Sequence, residues 1–377
     1  MANLTPSEQC IEDIRKAADR VCSETNQLRD SMIARVQLEG ANGICIGDGK
    51  MGIKESDGGD RLVFQPGDIN RQKIRALLGR LEANGDMVKN AQLWKISSFQ
   101  FATRAVEVLE ATYNERAWLC SSQTGLCLVG RNGNTVTKRN INRVPEAIAM
   151  SDGGEIYFTS YRDMSVKKID TSGRIGHVVN TSPLHPLGLC FTNAEDLLIC
   201  VVDKFDFVTG KDKPKDILKV KLDNGVATSV KFLGGDEKLT GPYRVLENIN
   251  GDIVLIDGLS ETSGRIVVLY GTGGVKFTYT GEDAGDVFCP THVSIDYNGN
   301  IFVLDGESNS IHVLNSAGTL QRKIVLDVMG RSVPNILSIG RDGYMWVGYS
   351  YGEVVVYRYG RTNRVMSRKI NEKETYF

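Results

Sequence analysis

Histidine is scarce in this chain: His177, His185, His292 and His312 are the whole complement, and none stands in an H-E-x-x-H pattern. That excludes a zinc-hydrolase helix of this type. No serine occupies a G-x-S-x-G elbow, so the α/β-hydrolase nucleophile is missing as well. The eight cysteines form no C-x-x-C pair and have no histidine at finger spacing, so neither a structural zinc nor any other cofactor is expected. Several cysteines lie inside apolar runs, as in Ala117-Trp118-Leu119-Cys120 and Leu198-Ile199-Cys200-Val201, where a thiol behaves as a small hydrophobe. Together with an N-terminus that lacks an apolar signal core, this points to a reducing, cytoplasmic compartment. No run approaches the ~18 apolar residues of a membrane span. The 45 basic and 46 acidic residues leave a net charge of −1, which gives the whole chain no electrostatic footprint for nucleic acid or an anionic membrane.

What is present is uneven. Residues 116–231 hold 16 basic and 12 acidic side chains, 232–320 hold 4 and 12, and 321–377 hold 10 and 5. A closed ring made of those sectors would be polarised. From Pro6 to Glu39 there is no glycine, and Ile11, Ile14, Ala18, Val21, Thr25, Leu28 and Met32 alternate three and four apart. That spacing predicts a coiled-coil-like helix over residues 1–39, capped by Thr5 or Ser7. It serves either self-association through residues 6–39 or packing on the chain's own body. Residues 40–105 read as a glycine-rich link and a connector helix, the latter capped by Asp68 and stopped at Ala83-Asn84-Gly85. The stretch Gly47-Asp48-Gly49-Lys50-Met51-Gly52 invites a phosphate-loop reading. It fails, because Ile44 stands where glycine is needed and Met51 where serine or threonine is needed.

Internal repetition decides the rest. The clearest copy runs Pro290-Thr291-His292-Val293-Ser294-Ile295, a turn at Asn298-Gly299, the strand Ile301-Phe302-Val303-Leu304-Asp305, then Asn309-Ser310-Ile311 and Gly318. The same order opens at Pro145, Pro186, Pro242 and Pro334, so that successive prolines stand 41, 56, 48 and 44 residues apart. A copy without the proline, around Ala117-Trp118-Leu119-Cys120, precedes them. Blade-sized periods of ~40–50 residues are those of a β-propeller. Six blades follow over residues 106–377, with five or seven as alternatives, and the whole is expected to be all-β behind an α-helical start. Either Ala105–Glu110 or Arg364–Ile370 could supply the strand that closes the ring.

The order proline, acidic-glycine turn, strand ending in Asp, Asn-x-Ile and glycine resembles the NHL repeat. With the coiled-coil remnant and the Phe64-Gln65-Pro66-Gly67 connector, the chain resembles the C-terminal part of a tripartite-motif NHL protein. No cysteine/histidine cluster of a RING or B-box is present in this sequence. The resemblance implies relatives that are ubiquitin ligases, and for this chain substrate recognition and assembly without catalysis.

In a propeller the loops entering the first strand and the turns after the second share one end of the ring. Glu146, Tyr161, Arg162, His185, Lys204, Tyr243, Arg244, His292, Asn335 and Tyr349 are therefore expected on one binding face, where Tyr and Arg are the commonest hot-spot residues. A protein partner is the expected ligand. RNA is the alternative, through a basic sector at Arg131, Lys138, Arg139, Arg143, Arg162, Lys167, Lys168 and Lys204, although the adjoining acidic sector would repel phosphate. A third reading places Asp203, Asp257 and Asp305 around calcium, as in six-bladed lactonase-type hydrolases; the alternative role for each is to accept hydrogen bonds from its own turn.

Overall fold

The computed structural model describes residues 44–46, 53–54, 62–64, 92–112, 114–203, 215–223, 225–232, 239–281 and 287–360. The chain divides into two compact units, Met1–Leu78 and Gly79–Phe377. In the first, strands β1 (Ile44–Ile46), β2 (Ile53–Lys54) and β3 (Leu62–Phe64) form a small sheet, with β3 in the middle, parallel to β1 and antiparallel to β2. The sequence reads this stretch as an irregular link, but its short runs, Ile44-Cys45-Ile46, Ile53-Lys54 and Leu62-Val63-Phe64, pair as strands. The two helices expected from the sequence, over 6–39 and from Asp68, lie outside the described residues.

The second unit is a six-bladed propeller. Blade 1 comprises β5 (Val108–Ala111), β6 (Arg116–Ser121), β7 (Gly125–Gly130) and β8 (Thr135–Arg139). Blade 2 comprises β9 (Ile148–Met150), β10 (Ile156–Ser160), β11 (Ser165–Ile169) and β12 (Ile175–Asn180). In blade 3 stand β13 (His185–Phe191), β14 (Leu197–Val202), β15 (Lys215–Asp223) and β16 (Val226–Phe232), and in blade 4 β17 (Pro242–Glu247), β18 (Ile253–Gly258), β19 (Gly264–Leu269) and β20 (Val275–Tyr279). Blade 5 is β21 (Pro290–Ile295), β22 (Ile301–Asp305), β23 (Ser310–Leu314) and β24 (Leu320–Val325). Blade 6 takes β25 (Pro334–Ile339), β26 (Tyr344–Tyr349) and β27 (Glu353–Gly360) from the end of the chain and its outer strand, β4 (Gln92–Gln100), from upstream of blade 1.

Ring closure thus differs from both expectations. Val108–Ala111 is the innermost strand of blade 1, not a closing strand, and Arg364–Ile370 lies outside the described residues. The ring begins at Gln92, ahead of the boundary expected at 106. The segment Gln92-Leu93-Trp94-Lys95-Ile96-Ser97-Ser98-Phe99-Gln100 carries neither proline nor an acidic-glycine turn, so the repeat pattern does not mark it.

Burial explains why the sheets stand in a ring. Strands β14, β18, β22 and β26 are buried at every position, because each middle strand is covered on both faces by neighbouring blades; such strands read as continuous apolar runs. Outer strands such as β8 are mostly exposed and polar. Six apolar clusters fill the six blade interfaces. The one between blades 6 and 1 joins Leu119 and Val129 to Trp346 and Val356, and the one between blades 5 and 6 joins Phe302 and Val313 to Met345 and Val347.

Side chains then tie blade to blade near the axis. The Ala111 amide donates to Ser338 Oγ (3.0 Å), the Ile339 amide to Ser294 Oγ (3.0 Å), and Asn248 Nδ2 to the Gly299 carbonyl (3.0 Å). Gly188 lets β13 meet β17: a Cβ there would lie 2.7 Å from the Tyr243 carbonyl oxygen and 2.8 Å from Arg244 Cα. Both neighbours are backbone and cannot swing aside. Gly188→Ala is expected to cost about 1–3 kcal/mol through overpacking, read as a lowered midpoint in urea denaturation of the full chain.

Candidate functional site

Each inner strand runs away from the same end of the ring. Its first residue pairs at or near the end of the second strand, as in Pro242 with Asp257, Pro290 with Asp305 and Pro334 with Tyr349. This entry end gathers the loops between blades and the turns between second and third strands. In blades 3 to 6 a β-bulge follows the opening proline, and a bulge re-aims the side chain after it.

In blades 4 and 5 the re-aimed side chains are Arg244 and His292, which line a cavity of ≈ 270 Å³ on the ring axis. Inner strands of all six blades contribute to it. Glu107 and Glu146 stand with Arg244 and His292 toward the entry end, Glu110, Glu247 and Arg341 toward the opposite end, and Val108, Ile148, Leu189, Val245, Ile336 and Leu337 make the walls. Arg244 Nη1 reaches across the ring to the Glu146 carbonyl (3.0 Å). Burial lowers Arg244 from its ordinary value, with Tyr243 and Glu146 opposing, and a guanidinium stays charged throughout. Burial, reinforced by Arg244, holds His292 well below the usual imidazole range, so it is neutral. Burial pushes the Glu110 carboxyl up to about 7 against the pull of Arg341.

The expected face residues separate into groups. Glu146, Arg244 and His292 reach the cavity. Tyr161 stacks on His185 (ring centroids 4.2 Å apart, 19° between planes), and His185 Nδ1 meets the Tyr161 carbonyl at 2.8 Å. Arg162 is exposed and Lys204 lies outside the described residues. The Tyr243 hydroxyl donates to the Pro290 carbonyl and bridges blades 4 and 5, and Asn335 Nδ2 donates to the Val106 carbonyl (2.9 Å) between blades 6 and 1. Tyr349 is fully buried between blades 5 and 6, with its hydroxyl on the Asp327 carbonyl (3.1 Å). It cannot touch a partner; its strand alternation turns it inward.

The three aspartates do not make a calcium site. Asp257 is fully buried and accepts from the Thr240 and Gly241 amides (2.8 and 2.7 Å) and from Arg265 Nε (2.9 Å). Asp305 accepts from the Cys289 and Glu307 amides (3.0 and 3.2 Å) and from Ser308. Asp257 and Asp305 are each consumed by their own blade, and among the described residues no three His, Cys, Asp or Glu side chains could hold a metal ion.

A surface the sequence reading missed lies on the entry end of blades 4 to 6. Leu259, Val287, Val325, Val328, Val333 and Tyr351 are exposed, from 37% at Val333 to 75% at Val325. Among the described residues, the entry-end loops of blades 1 to 3 expose no large apolar side chain. The arc is held by backbone: Gly264 N donates to the Phe288 carbonyl (2.9 Å), Gly306 N to Cys289 (2.8 Å), Leu326 N to Asn309 (3.0 Å) and Ser350 N to Val333 (2.9 Å). Ser332 Oγ accepts from the Tyr351 amide (3.1 Å) and donates to Glu353 (2.6 Å). Exposed Glu261, Glu307 and Asp327 border the arc, against one exposed base, Arg331, among its described loop residues. The available signal was an apolar inter-blade loop, Val325-Leu326-Asp327-Val328, where loops are ordinarily polar.

No protein-family model matches the chain, and no curated protein matches it. Solved propellers do. A gluconolactonase from Xanthomonas campestris is 10% identical with a TM-score of 0.54, over 72% of this chain and 91% of that one. A catalytically inactive virginiamycin B lyase from Staphylococcus aureus, solved with quinupristin, is 10% identical with a TM-score of 0.51, over 71% and 99%. The WD40 propeller domain of Doa1 is 12% identical with a TM-score of 0.49, over 71% and 97%. At such identities the likeness shows the fold alone. No helix among the described residues is long and apolar enough to cross a membrane.

Two outcomes follow. Asp257→Ala removes the buried carboxylate that Arg265 and two amides meet and is expected to cost about 3–5 kcal/mol, measured by urea denaturation, while chelator leaves the wild-type midpoint unchanged. Glu110 keeps its proton to about pH 7 when folded but releases it near 4.5 when unfolded, so it subtracts stability as pH rises across that window. Glu110→Gln should therefore stabilise the chain at pH 8 and have little effect at pH 4, in denaturation curves at the two pH values.

Proposed function

We propose that this chain is a non-catalytic recognition protein whose propeller binds a protein partner through the entry end of blades 4 to 6. The observation that carries the reading is the apolar arc of Leu259, Val287, Val325, Val328, Val333 and Tyr351, exposed on one side of one end and pinned by hydrogen bonds. Large exposed apolar side chains gathered on the loops of one end mark an interaction site, and pre-ordered loops lose little entropy on binding. The acidic border of Glu261, Glu307 and Asp327 favours a partner segment that is apolar at its centre and basic at its flanks. The resemblance of the repeats to tripartite-motif NHL proteins supports the same role, the recognition half of a ubiquitin-ligase architecture, with residues 6–39 as the means of presenting several rings together.

RNA is less well supported. Much of the basic sector is already engaged: Arg131 pairs with Glu115 (3.1 Å), Lys168 with Glu155 (2.9 Å), Lys167 with Asp163, and Arg139 donates to the Thr171 carbonyl (3.5 Å). The hydrolase reading has no metal cluster to rest on among the described residues.

The test is a selection of displayed peptides on the immobilised full chain. Peptides with an apolar centre and flanking Lys or Arg should be enriched, with affinity reduced at least about tenfold by Val325→Asp or Val328→Asp and unchanged by Arg162→Ala. Enrichment insensitive to both arc substitutions would refute the assignment, as would submicromolar single-stranded RNA binding with a steep salt slope.

A further inference from the structure

The central cavity contains a charge that the protein does not fully satisfy. Arg244 projects from the bulged start of β17, and its hydrogen bonds go to two backbone carbonyls, Glu146 (3.0 Å) and Tyr243 (3.4 Å). Among the described residues no carboxylate pairs with it, and its Nε is buried without an acceptor. On the neighbouring blade His292 occupies the same register, two residues after the opening proline, and its Nδ1 is also buried without a partner. Buried polar atoms left open at adjacent, equivalent positions in one cavity call for a ligand group, since a buried donor without an acceptor costs free energy.

The cavity limits what that group can be. Its ≈ 270 Å³ lies just below the roughly 300–1,000 Å³ of ordinary ligand pockets, so the group must be small. Its walls are aliphatic, with Val108, Ile148, Leu189 and Val245 among them. Glu107, Glu110, Glu146 and Glu247 also face it, which disfavours phosphate or a dicarboxylate, because a second negative charge beside Arg244 would have no cation to meet at the entry end, Arg341 lying toward the opposite end. Glu247 already accepts from the Asn193 amide.

We infer that the cavity binds a small monocarboxylate with an apolar body, its carboxylate accepting from Arg244 Nε and from the Nδ1–H tautomer of His292 and its body against the aliphatic walls. This site is separate from the arc on blades 4 to 6 and does not depend on the partner proposed for it.

Titration calorimetry on the full chain, with benzoate and hexanoate as probes and benzamide, hexanamide, succinate and inorganic phosphate as controls, tests it. The two monocarboxylates should bind saturably and each control about tenfold or more weakly, the ratio expected for a charge-assisted hydrogen-bond pair. Arg244→Gln should lose binding by a similar factor. Should that variant fail to fold, Glu146→Gln decides: removing the neighbouring negative charge is expected to tighten benzoate binding several-fold. Val325→Asp should bind benzoate like the wild type. Absence of saturable binding, equal binding of amide and acid, an unchanged Arg244→Gln, or a Glu146→Gln no tighter than wild type would each overturn the inference.

Discussion

Everything in this fold depends on a four-stranded sheet having two apolar faces and no way to cover them alone. Middle strands such as Leu197–Val202 and Ile301–Asp305 are buried throughout because blades lie against both sides of them. A linear stack would leave its two end blades with one bare face each; a ring leaves none. The six interface clusters are that condition met six times, and the serine and asparagine bonds near the axis tie blade to blade.

The ring also decides what its axis can do. Inner strands are short and converge, so the residues that follow each opening proline are forced toward one another, and bulges turn their side chains inward. Charge accumulates there because four glutamates and two arginines share a cavity. Burial, more than their own chemistry, sets their protonation: it lifts the Glu110 carboxyl to about 7 and, reinforced by Arg244, holds His292 well below the usual imidazole range.

How much of this was legible in the sequence follows from what recurs in it. Proline, acidic-glycine turn and buried strand recur with blade spacing because backbone geometry demands them at each turn; Gly299, for instance, sits at φ +81° where Asp296 Oδ1 accepts from the Asn298 and Asn300 amides. The fold was therefore readable from residues alone. The closing strand was not, since Gln92–Gln100 forms an edge whose alternation matches many exposed strands. At the site, chain position puts Glu146, Arg244 and His292 at the entry end, because register fixes where an inner-strand residue starts, though not that they turn into the cavity. It misplaced Tyr349, whose inward turn depends on strand parity, and it passed over the arc, whose members stand on separate loops far apart in the chain.

The origin of β4 has a consequence for how the protein comes into being. A ribosome releases Gln92–Gln100 before any blade, yet its partner, Glu353–Gly360, emerges only after the other five blades have been made. Throughout synthesis the nascent chain carries a β-edge with no mate, and the final blade cannot be completed until the two ends of the ring meet. That late, long-range pairing makes the last folding step an encounter between distant segments, slow by nature and exposed to mispairing with other chains.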